Sequence, residues 1–283
     1  MKDFRVSLII PAYNEENTIV RSLKNLTSSK QSFRLEIIVV CNGCTDRTET
    51  FAREFGPDVI VLSTAVPSKT KAINIAEKIA RFYPIFYIDS DIIVSVESIL
   101  GVAEYMQKKG ILAASPKKTF ALPKKKDLIH RYYEIWTDVQ THNGEMIGSG
   151  IYGVSEAGRK RFDNFPDVIN DDTYFSIQFK AKERKIVELF SFTIFPPKNI
   201  IDLIRIKTRT KIGNILLKQS YPELFQNKEP TNRRYLLKSI SNPGKTISIL
   251  VYIMIRLAVS LNSYRLLLMR KQIPWFKDES SRV

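Results

Sequence analysis

Two acidic stretches raise the question of chemistry in this chain: "YIDSD", residues 87 to 91, and "INDDTYF", residues 169 to 175. In the first, Asp89 and Asp91 flank Ser90 at the end of an apolar run, and residues i and i+2 of an extended strand share a face. Two carboxylates side by side repel each other, and a hard divalent cation such as Mg²⁺ or Mn²⁺ relieves the repulsion while keeping coordination positions open for diphosphate oxygens. The same pair also suits a solvated strand end, so the spacing by itself does not decide. In the second stretch Asp171 and Asp172 adjoin, and a carboxylate within reach of a hydroxyl can take its proton as a general base. A helix N-terminus equally favours such a pair through its dipole.

These residues need a scaffold that brings separated loops together, and the first hundred residues supply the pattern of one. "RVSLIIP", "LEIIVVC", "DVIVLS" and "IFYIDSDIIV" read as strands, and "NTIVRSLKNL", "DRTETFAREF" and "TKAINIAEKIARF" between them read as helices. In the first helix Ile19, Leu23 and Leu26 fall on one face. Strands apolar on both faces and separated by helices imply an α/β fold, a mostly parallel sheet flanked by helices. Ligands of such sheets sit at the carboxyl ends of the strands. The loops to watch are therefore "PAYNEEN", "CNGCTD", "STAVPSKTKA" and "DSD". After residue 100 the alternation fades, and beyond a Pro-rich corner, "FPPKN", the chain reads as helical and basic. The expected organisation is a domain over 1–197, with a nucleotide-binding half (1–100) and an acceptor half (101–197), followed by a helical region over 198–283.

The 283 residues include 44 Lys plus Arg and 29 Asp plus Glu, a formal charge of +15 that favours anionic partners without choosing among nucleotides, lipids and nucleic acid. At 44% hydrophobic the chain has the composition of a folded domain and not of a disordered one. The cysteines, Cys41 and Cys44, have no paired histidines to complete a zinc site and read as small loop fillers. The N-terminal stretch lacks the pattern of a cleavable signal, so a cytoplasmic location is expected, with peripheral attachment to the cytoplasmic face of a membrane as a variant of it.

The ordered set "IIPAYNEENTI", "VVCNGCTDRT", "SKTKAINIA", "YIDSD" and "INDDTYF" resembles the inverting family 2 glycosyltransferases, from residue 4 to about 195. The resemblance implies a GT-A (Rossmann-like) fold, Mn²⁺ or Mg²⁺ as cofactor, and a nucleotide-sugar donor, with a glycan or lipid-linked acceptor. It implies that Pro11, Ala12, Tyr13 and Glu15 border the nucleotide, with Asn42 beside the base. Lys71 at a helix start would face phosphate, Asp89 and Ser90 the ribose side, and Asp91 the metal. Asp172 matches the family's base, while Asp171 stands where a glutamate is commoner. Gly148, Ser149, Gly150 and Asp171 would shape the acceptor pocket. "CNGCTD" departs from the family by carrying Cys41 and Asn42 where carboxylates are common. Uridine stays the default base, with guanosine and thymidine left open, because an amide both donates and accepts. Arg209, in "RIKTRTKIGN", is a candidate for the diphosphate. Asp46 reads as a helix cap.

Outside the resemblance, Tyr132, Tyr133 and Trp136 could line an acceptor groove with their aromatic faces. No run reaches the length of about 18 to 20 apolar residues that spans a bilayer. The stretch 246–261 carries a polar stripe, Ser248, Tyr252, Arg256 and Ser260, on an otherwise apolar helix. It is expected to lie in a membrane interface or to pack on protein. The rival to a transferase is a basic membrane- or nucleic-acid-binding protein with a degenerate nucleotide fold. On the transferase reading no nucleic-acid partner is expected.

Overall fold

The structure is a computed structural model and describes residues 4–141, 149–228 and 243–269. They gather into two compact units, residues 4–119 with 149–194 and residues 120–141 with 195–228 and 243–269.

The first unit is built on an eight-stranded sheet in the order β3-β2-β1-β4-β7-β6-β8-β5. β1 (Val6–Ala12) lies parallel to β2 (Leu35–Asn42) and to β4 (Ile85–Ile88), and β3 (Val59–Thr64) extends the parallel half beside β2. Every residue of β1 is buried, as a strand covered on both faces requires. The other half holds β5 (Ile93–Val94), β6 (Ala113–Phe120), β7 (Ile151–Val154) and β8 (Arg184–Ile194); β7 runs antiparallel to β4 and β6, and β5 antiparallel to β8. The helices α1 (Ile19–Thr27), α2 (Thr48–Arg53), α3 (Lys69–Glu77) and α4 (Val96–Lys109) follow the first strands, and the short α6 (Glu156–Arg159) and α7 (Asp171–Ser176) come later. α1 buries Ile19, Leu23 and Leu26, the face its periodicity predicts. Ser95 caps α4 by accepting the Ser98 amide at 3.1 Å.

The expected fourth strand divides in two. β4 ends at Ile88, residues 89–91 form a turn, and Ile93–Val94 pairs with β8 elsewhere in the sheet. Two-residue strand periodicity therefore does not orient Asp89 and Asp91; the turn does.

The second unit packs α5 (Leu128–Thr141), α8 (Ile200–Ser220) and a long helix α9 (Thr246–Leu268). Its core includes Ile129, Tyr132, Tyr133, Val139, Leu203, Ile249, Tyr252, Ile255 and Val259. Tyr132 and Tyr252 stack with centroids 5.4 Å apart, and the Lys207 ammonium lies 4.7 Å from the Trp136 ring. Tyr132 and Tyr133 are thus core residues of a helical unit and do not form an open sugar-binding platform. α9 is seven residues longer than the stretch 246–261, and it is long and apolar enough to cross a membrane by length and composition. This corrects the expectation that no such segment exists: the polar residues Asn262, Ser263 and Tyr264 interrupt the apolar run but not the helix.

Candidate active site

At the carboxyl ends of β1 and β2 two loops are fastened to each other. Asn14 adopts a left-handed backbone (φ +52°), and its side chain accepts the Thr45 amide at 2.7 Å while donating to the Thr45 hydroxyl at 3.1 Å. Cys44 Sγ donates to the Ala12 carbonyl at 3.3 Å, and both cysteines are free thiols. Asp46 accepts the Thr48 amide at 3.0 Å and the Glu16 amide at 3.2 Å, holding the start of α2 against the first loop. Pro11 and Ala12, both buried, end β1, and Tyr13 after them is half-buried. Glu15 is buried, and its carboxylate accepts the Thr18 hydroxyl at 2.7 Å. That bond gives Glu15 a share in holding the loop. Asn42 is buried as well, and its Oδ1 has no hydrogen-bond partner among the described residues. A buried amide oxygen left so is costly unless a donor arrives, and a nucleobase N–H is a donor of the right kind.

The DSD turn comes next. The Asp89 amide donates to the Gly150 carbonyl at 2.7 Å, tying the turn to the start of β7. Ser90 is buried, whereas Asp89 and Asp91 are half-exposed. The expected phosphate lysine, Lys71, is exposed on α3. Two positions earlier Lys69 does something that the motif did not signal: its ammonium lies 2.7 Å from Asp89 and 2.9 Å from Asp171. Against the cost of burial, those two carboxylates hold Lys69 above the usual lysine range. Burial, with Asp91 and Asp171 nearby, pushes Asp89 up to about 6 despite the opposing Lys69 charge.

Asp171 and Asp172 open α7 and point to different partners. Asp171 is buried and also accepts the Tyr152 hydroxyl at 2.6 Å. Behind Tyr152 stand the rings of Tyr87 and Phe175, at 4.9 and 4.5 Å between centroids. Asp172 accepts the Ser149 amide at 3.0 Å on one oxygen and the Thr173 amide at 2.6 Å on the other. Ser149 and Gly150 both have positive φ, +63° and +125°. A Cβ at Gly150 would meet the Phe192 ring at 2.7 Å, so the loop comes this close to the sheet only with glycine there. Gly148 lies outside the described residues. Lys118, half-buried on β6, feels the Asp172 charge; burial nevertheless draws its ammonium down to about 8.

The first unit thus joins Asp89, Lys69, Asp171, Tyr152, Asp172, Ser149 and Gly150 through direct contacts. Lys69, Tyr152 and Lys118 were not singled out from the sequence. The available signal for Lys69 was its place at the first turn of the helix after β3, nearer the strand ends than Lys71. Arg209 lies on α8 of the second unit. There its neighbours in the basic segment are already engaged: Arg205 with Asp202, Lys207 with Trp136 and Lys211 with Ser260.

Comparison with known proteins adds a second line of observation. A family model described as "Glycosyl transferase family 2" matches residues 7–181. A 4,4'-diaponeurosporenoate glycosyltransferase of Staphylococcus aureus is 24% identical over 197 residues, 66% of this chain and 49% of the relative. The chain spans about half the length of the curated relatives it matches. Among solved structures, a mannosyltransferase of Pyrobaculum calidifontis in complex with GDP-Man and Mn²⁺ aligns over 94% of this chain and 79% of that one, with TM-score 0.61 and 17% identity. A glucosyl-3-phosphoglycerate synthase of Mycobacterium tuberculosis, in complex with Mn²⁺, UDP and glucosyl-3-phosphoglycerate, aligns over 76% and 79% with TM-score 0.53 and 18% identity. The fold is GT-A-like, and with the family model covering more than half of its residues the chain belongs to glycosyltransferase family 2.

Proposed function

We propose that this protein transfers a sugar from a nucleotide-diphosphate donor, a UDP-sugar by default, to a hydroxyl of a glycan or lipid-linked acceptor with inversion at the anomeric carbon. The observation that supports the reading is the Lys69 ammonium, which bonds one carboxylate of the DSD turn and one of α7, so that the acids assigned here to donor and acceptor share one cation.

In this reading Pro11, Ala12 and Tyr13 border the nucleotide, and the buried Asn42 Oδ1 accepts the imide N–H of a uracil. A guanine N1–H meets the same acceptor. Asp89 and Ser90 face the ribose, and Lys71, exposed at the helix start, reaches phosphate. Asp91 holds Mg²⁺ or Mn²⁺. Among the described residues no three His, Cys, Asp or Glu side chains converge as a metal site. An oxygen donor set this small fits a hard cation that takes its other ligands from diphosphate and water. The two similar solved structures, complexes that contain Mn²⁺ together with GDP-Man or UDP, support the use of a divalent cation. When bound, such a cation supplies charge neutralisation to the leaving diphosphate.

Asp172 acts as the base. The acceptor oxygen bonds to the anomeric carbon as the bond from that carbon to the diphosphate breaks, and the hydroxyl proton passes to Asp172. The Ser149 and Thr173 amides fix the carboxylate so that it need not reorganise during the step. Ser149, Gly150 and Asp171 then shape the acceptor side. A lipid-linked acceptor would accord with peripheral contact of the C-terminal region with the cytoplasmic face of a membrane.

The test is a thermal shift with UDP in the presence and absence of Mn²⁺, followed by transfer assays over a panel of nucleotide sugars. Stabilisation by UDP is expected only with the cation, and Asp91→Ala should remove it. Asp172→Asn should keep the UDP–Mn²⁺ shift and lose transfer by about 10²–10⁴-fold; turnover surviving in this variant would reject Asp172 as base. A shift produced by oligonucleotide without metal would favour the binding-protein reading.

A further inference from the structure

We infer that α9 beds its outward face in the hydrocarbon margin of an anionic lipid leaflet, its axis parallel to the membrane surface. The inference rests on the second unit alone and adds to the transfer reaction the face, the orientation and the lipid class.

α9 is apolar on both sides, unlike a surface helix of a water-soluble protein. Its protein-facing side buries Ile249, Ile255 and Val259 and carries several of its polar groups as well. Ser248 donates to Glu134 at 2.6 Å, Asn262 donates to Thr208 at 3.3 Å, Ser260 accepts from Lys211, and Ser263 is buried against its own helix. Of the polar stripe noted in the sequence, Ser248 and Ser260 are thus spent on α5 and α8 and Tyr252 stacks on Tyr132 of α5, while Arg256 stays exposed. The opposite side carries Leu250, Met254, Leu257, Leu261 and Leu268 at helical spacing, with Met254, Leu257 and Leu261 exposed by 69%, 58% and 72%. An apolar stripe running the length of a helix is far more than the scattered surface leucines of ordinary proteins.

Three observations choose the occupant. First, α9 contains no Asp or Glu, and its exposed charges are Arg256 and Arg265. At about 100° per residue Arg265 borders the stripe, roughly 50° from its centre, where a guanidinium can reach phosphate while its stem lies against hydrocarbon, and Arg256 stands roughly 130° away, towards the side that carries Ser263. Second, the formal charge of +15 suits an anionic surface. Third, Arg256 stands near the middle of the helix. Crossing the bilayer would carry that exposed guanidinium to the depth where it is most costly, although a helix of roughly 34 Å matches the hydrocarbon thickness of about 30 Å.

Flotation of the full chain with phosphatidylcholine vesicles, with and without phosphatidylglycerol, tests this. The protein should float with the anionic vesicles, and Leu257→Glu with Leu261→Glu should cut the floated fraction by about tenfold or more. Arg265→Gln should cut it by roughly fivefold on anionic vesicles and little on neutral ones. Because these side chains face outward, the melting temperature and the UDP–Mn²⁺ shift of both variants should match the parent, which separates this test from that of the transfer reaction. Equal flotation of the parent and the double-glutamate variant would overturn the inference. So would failure of the parent to float, or a dimer in light scattering that the glutamates dissociate.

Discussion

Lys118 is predicted to hold back stability at neutral pH, and replacing it with methionine should reveal by how much. Burial depresses its ammonium to about 8 from an ordinary value of 10.5, with Asp172 only partly compensating. A lysine whose pKa falls on folding binds fewer protons in the native state than in the unfolded state between those two values. Native stability therefore rises as pH climbs from about 8 to 10.5, and below 8 the full penalty is present. A gap of about 2.5 pH units corresponds to about 3 kcal/mol. The half-buried side chain keeps some contact with water, and screening leaves roughly 1–2 kcal/mol. Lys118→Met, which preserves the stem and removes the charge, should then raise the melting temperature at pH 7 by about 2–8 °C. The assay is calorimetry of both proteins from pH 7 to 10. The variant's advantage should shrink steadily above pH 8. An advantage constant across that range, or a variant less stable at pH 7, would refute the electrostatic account.

Other outcomes follow from the same geometry. Lys69→Met strips the shared cation from Asp89 and Asp171; with Tyr152 still donating to Asp171, a loss of about 3 kcal/mol is expected in denaturant unfolding at pH 7, the low end for a broken buried pair. Gly150→Ala sets a Cβ 2.7 Å from the Phe192 ring at a φ of +125° and should destabilise by about 1–3 kcal/mol, measured the same way. A loss below a few tenths of a kcal/mol in either variant would contradict the contacts described.

How much of this molecule was visible in its sequence depended on whether the signal was local. The parallel half of the sheet was legible because buried strands are apolar without interruption, as in β1 and β2, and because α1 repeats its apolar residues at helical spacing. The strand-end loops followed from the topology. The break between Ile88 and Ile93 was not legible, since an apolar run on both sides of "DSD" has the same composition whether it forms one strand or two that pair in different places. The part played by Lys69 was not legible for a related reason: two lysines in one helical turn differ in direction and not in type, and only the distances to Asp89 and Asp171 set Lys69 apart from Lys71. Tyr132 and Tyr133 misled because aromatic side chains serve a core as well as a surface. In α9 the stripe was read correctly as polar, but its direction required knowing that Glu134, Thr208 and Lys211 wait on the neighbouring helices.

The ammonium that Asp89 and Asp171 share has a thermodynamic consequence. A ligand that draws Lys69 towards one carboxylate weakens its hold on the other, so ligands that engage Asp89 and Asp171 are linked through a single ion. Linkage is reciprocal: the factor by which a donor changes acceptor affinity equals the factor by which the acceptor changes donor affinity. Order of addition can then alter the kinetics of ternary-complex assembly but not that factor.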